Sequence, residues 1–442
     1  MKEFILVGGA VRDKLMGLKP KDFDYLAAGY TEEEMLNLGF SRVGKDFPVF
    51  LHPKTKDEYA LPRKERSTGA GYNDFECITE GVNVEEDLLR RDLTINAMAL
   101  RDNGELIDPF GGKQDLENKV LRHTSKAFKE DPLRVLRIAR FRARYPEFSI
   151  AEETKSMISE MRNMLVSLTK ERVFKELEKA LGEERPELFF ITLNELNVLD
   201  IIFPEIYEMT LVEHDNIYHM EGSVFNHTMC ALRMASLKTE DKLVRFGTIY
   251  HDIGKVSSYK EFGDFNDHTS YERISYEMNL VKERYKVPNK WIKIAIVAAT
   301  NHHRIFQLKK MKNKKVVKMI TNKIFPKQED DIKRILDITE SDSFGRLIKD
   351  YGPYRKLDIY DSLFAITQSI FKKGERQYET IYIPGKEDRG GILEREFLLK
   401  AVKAVNSVSA KEYIHSFEQR PSIENIQQYL HRERIRAVAK AK

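Results

Sequence analysis

Over the first 125 residues, short apolar runs alternate with turn-forming pairs; beyond them, helical spacing of apolar positions dominates. The run Phe4-Ile5-Leu6-Val7 ends at Gly8-Gly9, while Phe47–His52 and Glu58–Leu61 have the length and alternation of strands. Glu33–Leu38 and Leu93–Leu100 read as helices. Asn73-Asp74, Asn103-Gly104 and Gly111-Gly112 mark turns, and the polar, glycine-rich stretch Ser67–Asp74 predicts a mobile loop. Together these elements predict a small α/β head. A strong helix is expected from Thr169 to Leu181, with Gly182 placed to stop it. Pro132, Pro186, Pro204, Pro288 and Pro326 separate further helices. The expected organisation is a head over 1–125, a helical neck and body over 126–222, a second helical domain over 223–345 and a helical tail over 346–442.

Composition narrows the class. With 442 residues the chain has room for several domains. Two cysteines, Cys77 and Cys230, give no disulfide framework and fit a reducing cytoplasm. The longest apolar run near the start is four residues, so neither a signal peptide nor a membrane span is expected. Net charge is +4, from 74 basic and 70 acidic residues, but the charge is unevenly placed. Residues 308–327 hold eight lysines and no acid, and the last twelve residues hold Arg432, Arg434, Arg436, Lys440 and Lys442. The lysine run fits a polyanion contact and a solvated helix face equally well.

Three constellations carry chemistry. The first is GGAVRDKLMGLKPKDFD at 8–24, where Asp22 and Asp24 point the same way if the segment is extended. A lone DxD is more often a solvated turn. Next to a glycine pair that lets backbone approach a phosphate, it suits a Mg2+ site for nucleotidyl transfer. The second combines RRDLTINAM at 90–98, DPFGGKQDL at 108–116 and EDPLRVLRIARFRAR at 130–144. Asp131, Arg134, Arg137 and Arg140 recur every third residue, a ridge that drifts about 60° per step. Residues 132–146 contain no acid, whereas a solvated helix would interleave carboxylates with its arginines. Such a ridge suits a triphosphate and the edge of a base, or a nucleic-acid face without catalysis. The third is a histidine set: His227 in FNHTM, His251 and Asp252 in YHDIGK, His268 in NDHTS, His302 and His303 in TNHHRI, and Asp342 in ESDS. Imidazole with carboxylate suits a divalent transition metal. His302 and His303 lie about 100° apart on a helix, so one of them, taken as His302, is expected to face the ion.

The motifs GGAVRD…DFD, RRDLTINAM, DPFGGKQDL, EDPLRVLR and TKERVFKELEKAL, in this order over roughly the first 180 residues, resemble the class II tRNA nucleotidyltransferases. That group comprises the CCA-adding enzymes and the bacterial poly(A) polymerases. The order H…HD…H…H…D resembles the HD phosphohydrolase domain, and the combination is similar to the bacterial multifunctional CCA-adding enzymes. The resemblance implies an α/β nucleotidyltransferase head with a small mixed sheet, an all-α neck and body, and an all-α HD domain. It implies Asp22 and Asp24 as Mg2+ ligands, and Gly9, Arg12 and Arg91 at the nucleotide triphosphate. Asp131 and Arg134 would act as an amino-acid template for cytosine or adenine, with Arg137 and Arg140 completing the pocket for CTP or ATP. The loop at 67–74 would help the pocket change from CTP to ATP. His227, His251, Asp252, His268, His302 and Asp342 would hold Ni2+, Co2+ or Mn2+, with His251 and Asp252 catalytic. That site would carry phosphatase, 2′-nucleotidase and 2′,3′-cyclic phosphodiesterase activities. Expected partners are tRNA, CTP and ATP, with no membrane, on a cytoplasmic monomer or homodimer. Other readings of the same motifs are a poly(A) polymerase, a protein uridylyltransferase and a non-catalytic tRNA-binding module. EDPLRVLR and the lack of length for sensory domains count against the uridylyltransferase.

Overall fold

The structure is a computed structural model that describes residues 2–43, 49–67, 75–214, 219, 221–346, 360, 363, 391–417 and 419–442. Most of the expected 67–74 loop, Phe47 and the tail segment 371–390 lie outside the described residues. The chain forms two compact units: Met1–Glu176 with Thr192–Ile202, and Leu177–Ile191 with Phe203–Lys442.

The first unit is built on β1 (Glu3–Val7), β2 (Asp24–Ala28), β3 (Ser41–Val43), β4 (Val49–Leu51) and β5 (Glu58–Ala60). A separate hairpin pairs β6 (Lys64–Ser67) with β7 (Phe75–Ile78), and β8 (Ala99–Leu100) and β9 (Leu106–Ile107) complete the main sheet. The strand order is β3-β4-β5-β2-β1-β8-β9, antiparallel throughout except between β2 and β5, so the sheet is mixed. Alternation along β1 explains its position. Ile5 and Val7 face one core cluster with Leu26, Leu88 and Ala97, and Leu6 faces another with Ala10, Val11 and Met98. The helices of this unit are α1 (Gly9–Leu15), α2 (Glu32–Asn37), α3 (Val84–Leu89), α4 (Gly112–Glu117), α5 (Leu133–Arg144), α6 (Glu152–Met161) and the start of α7 (Lys170–Ala180). Capping boxes set the first turns of α2 and α3, through Thr31 with Glu34 and Asn83 with Glu86.

One expected element differs. Leu93–Leu100 is a single 3₁₀ turn, Thr94–Asn96, followed by β8. The Thr94 hydroxyl donates to Asp115 and the Asn96 amide to Asp92, while Ala99 and Leu100 pair with β1. Side-chain bonds and a free strand edge thus override a short apolar run that periodicity alone cannot assign.

A short parallel pair, β10 (Val120–Leu121) with β11 (Ser149–Ile150), adds to the first unit. The remaining α-helices are α8 (Glu187–Glu195), α9 (Leu199–Ile202), α10 (Pro204–Tyr207), α11 (Val224–Lys238), α12 (Lys242–Ile249), α13 (Gly254–Phe262), α14 (Tyr271–Tyr285), α15 (Asn289–Ile305), α16 (Asn313–Ile320), α17 (Glu329–Phe344), α18 (Gly391–Ser407), α19 (Lys411–His415) and α20 (Ile423–Ala441). In the second unit Val244, Ile294, Val297, Ile335, Ile338 and Leu398 belong to one core, which joins α12, α15, α17 and α18. Among the described residues no helix is long and apolar enough to cross a membrane.

Candidate functional site

In the first unit, β1 runs straight into Gly8, whose φ of 70° and tight setting require glycine: a Cβ would lie 2.6 Å from Arg91 Nη1. The register sets Val7 opposite Asp24, and Asp24 beside Glu58 on β5. Asp24 opens β2, and Asp22 precedes the strand in a bend. Both are exposed by surface area, yet Asp24 lies deep enough among its neighbours for desolvation to raise its pKa. Glu58 and Asp22 raise it further, and Arg91 opposes them. Carboxylates that disfavour one another's charge are a donor set a hard divalent cation would relieve, and they fit Mg2+. Glu58, a candidate third carboxylate that the sequence leaves outside the expected ligand set, is brought here by the parallel β2–β5 pairing.

Arg12 is almost fully buried. It donates to Asp13 Oδ1 at 2.7 and 2.9 Å and to Asn96 Oδ1 at 2.6 Å, and its guanidinium packs near Phe141 and Tyr145. Arg91 bonds Asp87 Oδ2 and the Asn96 carbonyl. Gly9 opens α1 directly beneath the Arg12 guanidinium.

The expected arginine row lies on α5, but Asp131 precedes the helix, which begins after Pro132. The carboxylates missing from α5 arrive from elsewhere in the chain. Arg137 donates to Asp92 Oδ2 at 2.7 Å and Arg140 to Glu176 Oε2 at 2.8 Å. Arg134 donates to the carbonyls of Ala127 and Arg90, at 2.7 and 2.6 Å. Asp131 accepts from the Leu133 amide and from Arg172, in the quoted TKERVFKELEKAL motif. Burial alone would raise the pKa of Asp92, but the Arg137 guanidinium and the Asn96 amide hold its carboxyl well below the usual range. Asp92→Asn strips Arg137 of that charge and should cost about 1–3 kcal/mol of stability near neutral pH. A carboxylate with a depressed pKa stabilises fully above its unfolded value, about 4, and loses that contribution as pH falls through the folded value. Urea midpoints below about pH 4 should therefore fall more steeply in the wild type than in Asp92→Asn.

The second unit gathers the histidine set. His227 lies on α11, His251 and Asp252 between α12 and α13, His268 before α14, His302 on α15 and Asp342 on α17, all buried. His227 Nε2 lies 3.1 Å from Asp342 Oδ1, 3.7 Å from Asp252 Oδ2 and 3.3 Å from His251 Nε2. His302 Nε2 is 3.5 Å, and His268 Nε2 3.9 Å, from Asp252 Oδ1. Gly254 permits this closeness, since a Cβ there would lie 2.1 Å from the His268 carbonyl oxygen.

Local backbone orients the rings. Nδ1 of His251, His268 and His302 each meets the carbonyl three residues earlier, that of Thr248, Phe265 and Ala299. A ring nitrogen facing a carbonyl carries the proton, so Nε2 is the available ligand atom. His227 Nδ1 instead faces Glu221 Oε1 at 2.9 Å, the carboxylate–histidine arrangement that supports a metal ligand. His268 Nε2, His302 Nε2 and Asp252 Oδ1 have no hydrogen-bond partner although buried. Buried polar atoms without partners are costly, and their convergence fits a divalent ion with nitrogen and oxygen ligands.

The electrostatics agree. Burial opposes the Asp252 charge, but His251 and the Lys255 ammonium, 2.7 Å from Oδ2, hold its pKa well below the ordinary value. Asp342 is likewise held low against burial by Arg346. Burial works to lower the pKa of His251, but the Asp252 and Asp342 carboxylates push it up to about 10. His302 is driven well down by burial. Nearby, His214, His219 and Glu221 also cluster. There Lys255 Nζ, 2.9 Å from His214 Nε2, already supplies the cation, so this cluster buttresses the centre through Glu221. Glu221, Lys255 and Arg346 were not singled out in the sequence.

Comparison with known proteins follows this geometry. The Poly A polymerase head domain family matches residues 4–122, and the family described as "Probable RNA and SrmB- binding site of polymerase A" matches residues 147–209. The Multifunctional CCA protein of Shewanella denitrificans is 42% identical over 373 residues, covering 83% of this chain and 89% of the relative. That of Hahella chejuensis is 40% identical over 371 residues, covering 83% and 87%. In fold, the chain is similar to the crystal structure of the Bacillus stearothermophilus CCA-adding enzyme in complex with CTP. The TM-score is 0.60 at 18% identity, with coverage of 99% of this chain and 89% of the other.

Proposed function

Because the chain belongs to the family of the multifunctional CCA proteins, we propose that it builds and repairs the 3′-terminal CCA of tRNA from CTP and ATP. We further propose that its histidine centre is an HD-type phosphohydrolase acting on 2′,3′-cyclic phosphates, 2′-nucleotides and phosphomonoesters. The domain reading that accompanies this is a nucleotidyltransferase head over 1–125, a body over 126–222, the HD domain over 223–345 and a tail over 346–442.

The observation that carries the transferase reading is the register that sets Asp24 opposite Val7, at the edge of Gly8-Gly9, with Glu58 alongside. In this reading Asp22 and Asp24 hold Mg2+, which would supply charge neutralisation at the reacting phosphate and the leaving pyrophosphate. Gly8 and Gly9 let the backbone approach the triphosphate, and Arg91 lies beside them. Asp131 supplies an acceptor and Arg134 donors for a base edge. Arg137 and Arg140 complete the pocket, and Arg12 holds the α1 turn against Asn96. The histidine centre would hold Ni2+ or a similar ion, which would supply Lewis acidity toward a phosphoryl oxygen. Its residues orient that ion, and Lys255 and Arg346 balance the carboxylates.

Incubating the protein with tRNA lacking CCA, and offering CTP, ATP or both, tests the assignment. Ends reading CCA support it, and runs of A from ATP alone would make the protein a poly(A) polymerase. Replacing Asp131 or Arg134 by alanine should relax discrimination against UTP and GTP, because a site built on hydrogen bonds rejects wrong partners by leaving polar groups unpaired. Equal loss of rate with all four nucleotides, at unchanged fidelity, would remove the template role.

A further inference from the structure

The lysine run at 308–327 finds a structural setting beside the histidine centre. There a pocket of about 690 Å³ opens between the end of α15 and α16, within the range of roughly 300–1,000 Å³ that encloses a drug-sized ligand. Its inner end is formed by Asn301 and His303, and the His303 ring centroid lies 4.7 Å from that of His268 and 4.4 Å from that of His302. The pocket therefore abuts the ligand histidines themselves.

Its walls differ in chemistry. Arg304, Lys315 and Lys318 face Glu272 as three cations against one carboxylate. All three are exposed, and none has an ion-pair partner among the described residues. Lys315 and Lys318, three residues apart on α16, share a helix face. The floor is apolar, from Met311, Met319 and Phe325. Clustered free cations beside an apolar floor match alternating phosphates and bases. The two lysines stand on a different helix from Arg304, which gives the pocket two anchoring points for negative charge.

We propose that this pocket is the subsite that seats the strand leading into the histidine centre, taking at least two successive phosphates of an RNA 3′ end. Arg304 contacts the phosphate next to the centre, Lys315 and Lys318 contact the one before it, and a base lies against Met311. The inference rests on the hydrolytic reading of that centre and adds a preference for oligonucleotide ends over free nucleotides.

The test compares a trinucleotide ending in a 2′,3′-cyclic phosphate with the corresponding cyclic mononucleotide, using the full-length Ni2+-loaded protein. Lys315→Glu combined with Lys318→Glu should raise KM for the trinucleotide tenfold or more and that for the mononucleotide much less. The double Lys→Arg variant should keep the wild-type values, which separates charge from folding. A trinucleotide with a hydrolysis-resistant 3′-thiophosphate, followed by fluorescence anisotropy, gives a readout independent of turnover. Its salt slope should fall by about 0.7 in the Glu variant, the value for one phosphate contact on a single strand. Unchanged trinucleotide KM and anisotropy would overturn the subsite, and an equal rise for both substrates would overturn the oligonucleotide preference. Absence of hydrolysis in the wild type would defeat the reading of the centre alone, and anisotropy would then decide the pocket.

Discussion

Asp22→Ala and Asp24→Ala should each reduce CTP incorporation into tRNA lacking its CCA end by roughly a thousandfold or more. Both carboxylates are exposed and contribute nothing to the apolar core, so the variants should stay folded. In the proposed site their loss removes the charge that would hold the cations against the triphosphate. Two-metal stabilisation supplies several kcal/mol, and each 1.36 kcal/mol is about a factor of ten in rate. Binding of tRNA depends mainly on phosphate contacts with basic residues and should persist, weakening with salt as in the wild type. Single-turnover incorporation, tRNA binding and circular dichroism on the same preparation separate these effects. Near-normal incorporation by either variant would remove that aspartate from the site.

An equally large effect is expected at the other centre. His251→Ala or Asp252→Ala should eliminate hydrolysis of 2′,3′-cyclic nucleotides and leave CCA addition largely intact. Asp252 is the most connected residue of the centre: its oxygens lie within 4 Å of His227, His251, His268 and His302, and of the Lys255 ammonium. Removing it leaves Lys255 and the imidazoles without their shared anion, which disables the centre for any divalent ion. The ligands of the two centres belong to different compact units. Their ion preferences should also differ, Mg2+ for the aspartates and a softer ion for the histidines. Asp252→Asn, close to isosteric, guards against an effect of unfolding alone. Parallel loss of CCA addition in a folded His251→Ala protein would mean that the sites are coupled.

Much of this arrangement is legible in the sequence because it is local. The glycine pair at the end of an apolar run, the DxD spacing and the roughly 100° separation of His302 from His303 follow from strand and helix periods. His302 is fully buried, on the helix face turned to the core. The partners of the arginine row are not local. Asp92 lies 45 residues from Arg137, and Glu176 lies 36 from Arg140. Sequence pattern gives the sign of those charges and not their distance. Glu58 could not be placed firmly for a related reason: it reaches Asp24 through a parallel pairing, which needs a crossover that no short-range signal encodes. The carbonyls three residues before His251, His268 and His302 were within reach of sequence reasoning, because that spacing recurs at all three.

The raised pKa of His251 makes the histidine centre a place where two kinds of cation contend for one atom. The Asp252 and Asp342 carboxylates favour a proton on that imidazole against its burial. A metal ion entering there must expel the proton, so loading is a substitution and not a simple addition. Occupancy by a metal would then depend on the ratio of metal to hydrogen ions, lower in acid and higher in alkali. The same pair of carboxylates that makes the site attractive to a metal also makes it a reporter of the surrounding pH.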